Sequence, residues 1–225
     1  MTTVLITGAN RGIGLEFVKQ YAADGAEVIA CCREPGKATE LKHVKGKVRV
    51  MALDVGDPAS VAALKKDLGD EPLDIVINNA GVSGPPRKGD NIDVDGWLAT
   101  FRTNSVAPVL VANALKPNLM KGKDRKLVTL TSVLGSIAED SGGFQPYSAT
   151  KAAVNSLMHS LSKNWAKDGI LVGIFHPGWV QTDMGGSGAP VKPEASVKGL
   201  RARIAELDAA KSGTYRDFEN RPIPW

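Results

Sequence analysis

Short apolar runs alternate with helical patterns along the whole chain, and this alternation constrains the fold more than any other feature of the sequence. The predicted strands are residues 4–7, 27–32, 48–53, 73–77, 127–131 and 170–175. The predicted helices are residues 12–23, 36–43, 57–68, 94–120 and 193–210, with a further helix that includes residues 152–165. Continuous apolar strands separated by helices are typical of parallel strands buried on both faces. The sequence therefore predicts an α/β protein, a single-domain Rossmann fold whose doubly wound, mostly parallel sheet has helices on both faces.

The composition restricts the kinds of partner and compartment. The formal net charge is +4, and no basic run with interleaved aromatic residues marks a nucleic-acid surface. No stretch of about 18 apolar residues is present, and the chain begins in a strand-like run, so we expect neither a membrane span nor a secretory leader. Cys31 and Cys32 are adjacent, which is poor geometry for a disulfide, so we expect reduced thiols in a cytoplasmic protein. We expect one domain over residues 1–225.

The histidines do not suggest a metal site. His43, His159 and His176 have no cysteine or carboxylate partner at a metal-ligand spacing. We expect structural roles for all three, and no bound metal.

A glycine-rich turn joins the first predicted strand to the first predicted helix. Residues 7–14 have the spacing Gly-x-x-x-Gly-x-Gly, and they begin with Thr7. Glycines allow a tight turn here and let the main chain approach a pyrophosphate, which binds at the N-terminus of a helix. The turn predicts a dinucleotide site; the alternative is a purely structural connection between strand and helix.

The end of the second predicted strand indicates which dinucleotide is preferred. NAD-selective proteins usually place a carboxylate there, on the ribose 2′-hydroxyl. Here Arg33 follows the strand, and a guanidinium pairs well with a 2′-phosphate. Arg11, within the glycine turn, is a candidate second cation, whereas Glu34 could neutralise Arg33 or reach the ribose itself. The sequence predicts NADP(H) as the cofactor, with NAD(H) as the alternative.

Polar residues also follow the third and fourth predicted strands. Asp54 follows the third strand, where a carboxylate can accept a hydrogen bond from an adenine amino group. Residues 78–81, Asn-Asn-Ala-Gly, end the fourth strand at the carboxyl edge of the sheet, where ligands bind in open α/β folds. The two amides either contact the cofactor or brace the sheet.

Tyr147 and Lys151 lie four residues apart at the start of a helix, so their side chains share one helix face. Pro146 suits the first turn of that helix because it lacks a main-chain donor. A phenol titrates near pH 10, and a nearby ammonium favours the phenolate, so the pair can exchange a proton nearer to neutral pH. The alternative is a core tyrosine beside a solvated lysine.

Asn104 and Pro108 predict a break in the long helix at residues 94–120. A proline cannot donate to the carbonyl four residues earlier and clashes with it, and here that carbonyl belongs to Asn104. We expect a kink that frees this carbonyl to hold a water, which would link Lys151 to solvent as a proton relay. The alternative is a bend that only shapes the helix around the sheet.

Taken together, these residues resemble the short-chain dehydrogenase/reductase family. The shared features are the turn at residues 7–14, Asp54, residues 78–81, Asn104, Ser132, Tyr147, Lys151 and the Pro177-Gly178 loop with Thr182. They cover essentially the whole chain. The length, residues 131–137 and residues 221–225 are similar to the C-factor/Sniffer-like carbonyl reductase branch of that family.

The resemblance implies an oxidoreductase that transfers a hydride between nicotinamide and a small carbonyl or alcohol substrate. It implies that Tyr147 is the general acid/base on the substrate oxygen and that Ser132 hydrogen-bonds this oxygen. It further implies that Lys151 binds the nicotinamide ribose and lowers the pKa of Tyr147. Ser132 is preferred over its neighbours Thr131 and Ser136 by family position.

The residues implied by family position form two sets. The catalytic set is Asn104, Ser132, Tyr147 and Lys151. The cofactor-binding set is Gly8, Asn10, Arg11, Gly12, Ile13, Gly14, Arg33, Asp54, Val55, Asn79, Ala80, Gly81, Tyr147, Lys151, Pro177, Gly178, Val180 and Thr182. Within the second set, Thr182 and the main chain beside it are expected to hold the nicotinamide carboxamide.

The segment after the sixth predicted strand is expected to border the substrate. Residues 185–188, Gly-Gly-Ser-Gly, suggest a short lid. The side chains expected to line an open, apolar pocket are Phe144, Trp179, Met184 and Trp97. The resemblance also implies a homodimer or homotetramer formed through the long helix and the Tyr147 helix, with Leu157 and Leu161 as candidate contacts.

Two other functions are consistent with parts of the sequence. Relatives of the C-factor type are associated with signalling, so a cofactor-binding signalling protein with little or no turnover is the alternative to an enzyme. A nucleotide-sugar epimerase is disfavoured because the chain is too short for an added substrate domain. The intact set of four catalytic residues favours the enzyme.

Overall fold

The computed structural model describes residues 1–85, 91–139, 142–143 and 145–225. A seven-stranded sheet lies at its centre, with every neighbouring pair of strands parallel. The strands are β1 (Thr3–Thr7), β2 (Glu27–Cys32), β3 (Lys47–Ala52), β4 (Ile75–Asn78), β5 (Lys126–Leu130), β6 (Leu171–His176) and β7 (Tyr215–Asp217). Their order across the sheet is β3-β2-β1-β4-β5-β6-β7. The predicted doubly wound α/β fold is confirmed.

Helices connect the strands and cover the sheet. They are α1 (Gly12–Ala23), α2 (Thr39–Lys42), α3 (Pro58–Leu68), α4 (Val94–Phe101), α5 (Ala107–Lys121), α6 (Tyr147–Trp165) and α7 (Pro193–Ala205). Local capping explains where two of them begin. The Asp57 carboxylate accepts a hydrogen bond from the main-chain N–H of Ala59 at 2.9 Å at the start of α3. The Asp93 carboxylate caps α4 in the same way, through Gly96 at 2.9 Å.

Two apolar cores, one on each face of the sheet, hold the layers together. On one face α1 and α7 pack on the strands, with Phe17 and Leu200 fully buried. On the other face α3, α5 and α6 pack on the strands, with Leu64, Leu115 and Met158 buried. Burial of each such side chain stabilises the fold by about 1.5–3 kcal/mol relative to exposure.

The two cysteines belong to opposite cores. Cys31 lies in the core under α3, α5 and α6, and Cys32 lies in the core under α1 and α7. Successive side chains of a strand point to opposite faces of the sheet, so this pair cannot close a disulfide. Both cysteines are free, as the sequence predicts, and both are buried.

The strand order places a binding crevice at the carboxyl edge between β1 and β4. The chain runs outward from β1 to β3 and then crosses to the other side of β1 to continue with β4. Ligands of open α/β sheets bind outside the carboxyl ends of the strands at such a reversal. The loops that follow β1 and β4 carry the glycine turn and residues 79–81 to this crevice.

The structure differs from the sequence prediction in four elements. The predicted helix 36–43 is a 3₁₀ turn, Pro35–Lys37, followed by the four-residue helix α2. The predicted helix 94–120 is interrupted by a π-helical segment, Arg102–Val106, between α4 and α5. The last predicted helix, 193–210, ends at Ala205. The short strand β7 was not predicted; it pairs with β6 through Ile174 and Tyr215, among others. With three residues, β7 carries too little alternation to be recognised from the sequence.

No helix in the described part of the chain is long and apolar enough to cross a membrane. Across the same residues, no group of three or more histidine, cysteine, aspartate or glutamate side chains is arranged to hold a metal ion.

Candidate active site

The glycine turn after β1 has the close packing that its spacing predicts. Gly8 has a positive φ of 64°, and a Cβ added there would lie 2.9 Å from the Cα of Ala80. A Cβ added at Gly14 would lie 2.2 Å from the main-chain oxygen of Gly8. Because both distances are too short for a side chain, the turn tolerates only glycine at these two positions.

The N-terminus of α1 leaves main-chain donors available. Arg11 precedes the helix without making a side-chain cap, and the first turn carries no acidic residue. The first N–H groups of a helix have no intrahelical acceptor, and the helix dipole there favours negative charge. Asn10 is exposed at this end, while Ile13 packs partly against the core. The turn can therefore accept an anionic group from solvent.

Asn79 braces the glycine turn from β4. Its side-chain amide donates hydrogen bonds to the main-chain oxygens of Thr7 at 2.8 Å and Gly8 at 3.0 Å. In return, the Thr7 hydroxyl oxygen accepts hydrogen bonds from the main-chain N–H groups of Asn79 and Ala80, at 3.0 and 3.1 Å. Asn79 therefore braces adjacent strands, and contact of its amide with a cofactor stays a prediction.

Asn78 supports a different neighbour. Its side-chain amide donates to the main-chain oxygen of Pro108 in α5 at 3.1 Å. This hydrogen bond ties the carboxyl end of β4 to the first turn of the helix that follows the π-helical segment.

Arg33 is exposed at the carboxyl end of β2, as predicted. Glu34, which could have neutralised it, instead forms an ion pair with Lys37. Arg11 is also engaged elsewhere, in an exposed ion pair with Asp183 at 2.8 Å. Arg11, the predicted second cation, thus points towards the loop after β6. Arg33 supplies the positive charge at the end of β2.

Asp54 lies exposed just beyond β3, beside Val55. One of its carboxylate oxygens accepts a hydrogen bond from Gly56 N–H at 2.9 Å, which fixes the local turn. Its own N–H donates to the Ser60 hydroxyl at 2.9 Å. This turn holds the carboxylate at the same edge of the sheet as Arg33.

Tyr147 is the first residue of α6, and Lys151 lies one turn further on the same face. The Lys151 ammonium nitrogen is 5.5 Å from the centre of the Tyr147 ring. Burial raises the pKa of Tyr147, and a side-chain hydrogen bond with Ser132 partly offsets this effect. The phenol and the Ser132 hydroxyl therefore lie together, although they come from α6 and from the turn after β5.

The expected lowering of the Tyr147 pKa by Lys151 is not found, and this expectation is corrected. Burial of the phenol dominates and moves its pKa upward. The Lys151 ammonium donates a hydrogen bond to the main-chain oxygen of Leu130 at 3.0 Å. Tyr147 therefore stays protonated at neutral pH.

Lys151 is a buried cation. Its side chain is 6% exposed, and burial lowers its pKa to about 8. No carboxylate forms an ion pair with it among the described residues. A charged group without a counter-charge is costly to bury, and such groups concentrate at functional sites.

Asn104 lies within the π-helical segment and is fixed by its side chain. Its amide oxygen accepts from Val82 N–H at 2.9 Å, and its amide nitrogen donates to Val82 O at 2.8 Å and to the Thr150 hydroxyl at 3.0 Å. The predicted interruption of the helix at this residue is confirmed. A π-helical turn before Pro108 accommodates the missing N–H donor of the proline.

Gly81 brings the end of β4 close to Asn104 and Lys151. A Cβ added at Gly81 would lie 3.3 Å from the Asn104 amide oxygen and 3.8 Å from the Lys151 ammonium. The crevice at β1 and β4 therefore opens directly onto Lys151.

The loop after β6 meets the glycine turn from the other side. A Cβ added at Gly12 would lie 3.3 Å from a methyl carbon of Thr182. Pro177 is held by the buried Ser196, whose hydroxyl donates to its main-chain oxygen at 2.6 Å. Val180 is buried and pairs with Val191. These contacts place the loop across the crevice.

Gly178 allows the loop to turn at this point. It has a φ of 85°, and a Cβ there would lie 2.9 Å from the ring of Phe218. The predicted lid at residues 185–188 begins at a fixed point, because the Trp179 ring nitrogen donates to Gly185 O at 2.8 Å. Gly186 N–H donates to Thr182 O at 2.8 Å.

The predicted pocket residues have different environments. The side chains of Trp179 and Met184 are 59% and 52% exposed, so both are available to a substrate. Trp97 is half-buried in α4. Phe144 lies outside the described residues.

Thr131 and Ser136, the alternatives to Ser132, differ from it in their hydrogen-bond partners. The Ser136 hydroxyl donates to the main-chain oxygen of Trp225 at 3.2 Å and accepts from Glu139 N–H at 3.1 Å, so it is a structural residue. The Thr131 hydroxyl is buried without a partner among the described residues. The hydrogen bond with Tyr147 singles out Ser132.

Two buried residues behind Ser132 were missed by the sequence analysis. The Tyr215 hydroxyl donates a hydrogen bond to the main-chain oxygen of Ser132. The Asn155 amide donates to Gly135 O at 3.3 Å and lies beside the Tyr215 hydroxyl. Asn155 is four residues beyond Lys151, and this spacing could have identified it. Nothing near Tyr215 in the sequence could have done so, because its position depends on β7.

Known proteins resemble this chain in both sequence and structure. A family model for short chain dehydrogenases matches residues 2–190. The C-signal protein of Myxococcus xanthus is 37% identical over 155 residues, which are 68% of this chain and 93% of that protein. The structure of NADPH-bound carbonyl reductase from chicken fatty liver matches with a TM-score of 0.91 and 32% identity, covering 100% of this chain and 99% of that one. The carbonyl reductase Sniffer of D. melanogaster matches with a TM-score of 0.93 and 29% identity, covering 100% of both chains.

Proposed function

The chain belongs to the short-chain dehydrogenase family, and from this premise we propose that it is an NADP-dependent carbonyl reductase. The observation that carries the proposal is the meeting of the Tyr147 phenol, the Ser132 hydroxyl and the buried Lys151 ammonium at the crevice of the sheet. The reaction interconverts a small carbonyl compound and the corresponding alcohol.

The residues at the crevice fit a dinucleotide. Gly8 and Gly14 let the turn pack tightly against Ala80 and against its own main chain, and the N-terminus of α1, which has no side-chain cap, presents main-chain donors to an anion. Lys151 is a buried cation without an ion-pair partner in the described chain, so it suits a ribose hydroxyl. The bound NADP(H) supplies or accepts the hydride. The residues proposed to hold it are the cofactor-binding set given in the sequence analysis.

The protein's own contribution is a proton and a fixed hydrogen bond. Tyr147 holds its proton at neutral pH and gives it to the carbonyl oxygen as that oxygen gains negative charge. Ser132 donates a hydrogen bond to the same oxygen, and a donor already aimed at developing charge lowers the barrier without reorganisation. The Lys151 ammonium lies 5.5 Å from the centre of the Tyr147 ring and is proposed to bind the nicotinamide ribose.

Asn104 completes the proposed catalytic set. The π-helical turn interrupts the regular hydrogen bonding at its carbonyl, and its side chain fixes the residue in place. We propose that this carbonyl holds a water that carries protons between Lys151 and solvent.

A screen of small aldehydes, ketones and quinones for consumption of NADPH tests the proposed function. We expect turnover with apolar carbonyl compounds, because Trp179 and Met184, both in the loop after β6, expose apolar side chains. The Ser132→Ala variant serves as the control for background oxidation of NADPH. Absence of turnover across all three classes would contradict the proposal.

The preference for NADP over NAD is tested at Arg33. In Arg33→Ala, we expect KM for NADPH to rise about 10- to 100-fold, because a charge-assisted hydrogen bond to the 2′-phosphate contributes about 1.5–3 kcal/mol. KM for NADH should change little. Lys45→Ala is the matched control, because Lys45 is exposed beyond the opposite end of β3. Equal effects of Arg33→Ala on both cofactors would show that Arg33 does not read the 2′-phosphate.

The second candidate function is a cofactor-binding signalling protein with little or no turnover. The similarity to the C-signal protein favours it. The two functions differ in how they depend on Tyr147: a signalling protein that only binds the cofactor would keep its biological effect in Tyr147→Phe. The burial of Asn104, Ser132 and Lys151 supports the enzyme.

We further propose one NAD(P)-binding domain over residues 1–225, located in the cytoplasm. All seven strands share one sheet, and two free, buried thiols suit a reducing compartment. A homodimer or homotetramer is also proposed, because α4, the π-helical segment and α6 expose Leu98, Val106 and Leu157. The candidate contact Leu161 is corrected: it is 9% exposed and belongs to the core.

A further inference from the structure

The turn that carries Ser132 is held from both sides by buried polar groups. The turn, Val133–Gly135, packs directly on α6: a Cβ added at Gly135 would lie 2.8 Å from the carbonyl carbon of Lys151 and 2.9 Å from the Asn155 amide nitrogen. On the other side, the Tyr215 hydroxyl reaches from β7 to the main-chain oxygen of Ser132. This oxygen also accepts from Gly135 N–H at 2.8 Å.

Ser132 needs such support because it lies beyond the sheet. The last main-chain hydrogen bond between β5 and β6 in this region is donated by Thr131 to Phe175 O at 2.8 Å. After it, the chain leaves the ladder, and the position of Ser132 depends on contacts from other elements. Tyr215 is 3% exposed and pairs with Ile174 in β6, so its ring is fixed by the sheet and its hydroxyl is a rigid donor.

The same segment also holds the far end of the turn. The ring of Trp225 packs on Tyr215, with 5.4 Å between ring centres. The main-chain oxygen of Trp225 accepts hydrogen bonds from Ile137 N–H at 2.8 Å and Ala138 N–H at 3.1 Å. Residues 215–225 thus contact the Ser132 turn at both of its ends.

We propose that Tyr215, supported by Asn155, is a positioning residue that fixes Ser132 against Tyr147; this inference rests on the proposed reductase function. Tyr215 does not exchange a proton itself. Burial raises its pKa well above the usual range, so it remains a neutral donor throughout the working pH range. Its hydroxyl acts on the reaction only through the position of Ser132.

Kinetics of Tyr215→Phe test the proposal. The variant keeps the ring in the core and removes the hydroxyl alone, and we expect kcat to fall on the order of tenfold, because small displacements of a catalytic group are costly. KM for NADPH should change by less than about twofold, since the hydroxyl bonds the main chain of Ser132 and none of the proposed cofactor-binding residues. Tyr21→Phe is the matched control: Tyr21 is a buried tyrosine of α1 in the other core, and its loss should leave kcat unchanged.

The decisive comparison is made in a Ser132→Ala background. If Tyr215 acts through Ser132, adding Tyr215→Phe to Ser132→Ala causes no further loss of kcat. An equal further loss in that background would overturn the proposal, as would an unchanged kcat in the single variant. Asn155→Ala provides a second variant. We expect it to lower kcat less than Tyr215→Phe does, and to cause no loss of kcat when it is added to Ser132→Ala.

A spectroscopic measurement tests the position of Ser132 without relying on activity. The chain has three tyrosines, Tyr21, Tyr147 and Tyr215, so carbon-13 labelling of the phenol carbon gives three NMR signals that the Phe variants assign. We expect Tyr215→Phe to shift the Tyr147 signal and raise its titration midpoint, because the hydrogen bond with Ser132 that lowers its pKa is weakened. Tyr21→Phe should leave the signal in place. An unmoved Tyr147 signal in Tyr215→Phe would refute the positioning role even if no substrate were turned over.

Discussion

Replacing Tyr147 with phenylalanine is expected to lower kcat for carbonyl reduction about 10³-fold, within the range that general acid catalysis contributes. The variant loses the hydroxyl that donates the proton and keeps the ring at the start of α6. Cofactor binding should persist, with Kd for NADPH rising less than about tenfold, because at most one neutral hydrogen bond to the cofactor is lost. Steady-state kinetics and a fluorescence titration with NADPH measure the two quantities.

The control for this variant is Tyr21→Phe, which removes a hydroxyl from the core on the opposite face of the sheet. It should retain the wild-type kcat. If Tyr147→Phe kept more than about a tenth of the wild-type kcat, a different group would have to donate the proton. If Tyr147→Phe no longer bound NADPH, the main role of Tyr147 would be to bind the cofactor and not to donate the proton.

Lys151→Met is expected to abolish most activity and, at the same time, to stabilise the protein in the absence of cofactor. Activity should fall by about 10²-fold or more, because the variant loses the proposed contact to the cofactor ribose and the positive charge 5.5 Å from the centre of the Tyr147 ring. Stability should rise because a buried cation without an ion-pair partner in the described chain is replaced by an apolar side chain of similar length.

The size and pH dependence of this stabilisation follow from the Lys151 pKa. Burial lowers it from 10.5 to about 8, which corresponds to about 3 kcal/mol of destabilisation below pH 8. Loss of the hydrogen bond to Leu130 O offsets about 1 kcal/mol. The variant should therefore unfold about 5 °C above the wild type at pH 7.

Between about pH 8 and 10.5 the unfolded wild type binds more protons at this lysine than the folded protein does, so its stability rises with pH. The difference in Tm between Lys151→Met and the wild type should accordingly shrink as the pH approaches 10. Thermal unfolding at pH 7, 8, 9 and 10 measures it. Lys163→Met, on an exposed position of α6, is the control and should show no such trend. A difference in Tm that does not vary with pH would contradict the account.

Much of the fold could be predicted because the strands are continuous apolar runs. Residues 12–23 and 27–32 were predicted with the observed bounds of α1 and β2. The glycine turn and the Tyr147–Lys151 pair could also be predicted from the sequence, because each depends on the spacing of residues within one local segment. The break at Asn104 followed from one proline, although a proline alone does not specify a π-helical turn.

The remaining features depend on contacts between distant segments. Tyr215 reaches Ser132 across 83 positions of sequence, through a strand too short to carry a pattern. The direction of the Tyr147 pKa was predicted wrongly because the spacing to Lys151 reveals a charge nearby but not the burial that outweighs it. Leu161 was placed on the surface because helical periodicity alone does not distinguish a core face from an oligomer face.

The central claim is spatial: the Tyr147 phenol and the Ser132 hydroxyl act on one oxygen atom, beside a nicotinamide bound at the glycine turn. A crystal structure with NADPH and an unreactive carbonyl analogue tests it most directly. We predict that the analogue's oxygen lies within hydrogen-bonding distance of both side chains, with the 2′-phosphate on Arg33. An analogue oxygen held by neither Tyr147 nor Ser132, with the nicotinamide outside the crevice, would contradict the account.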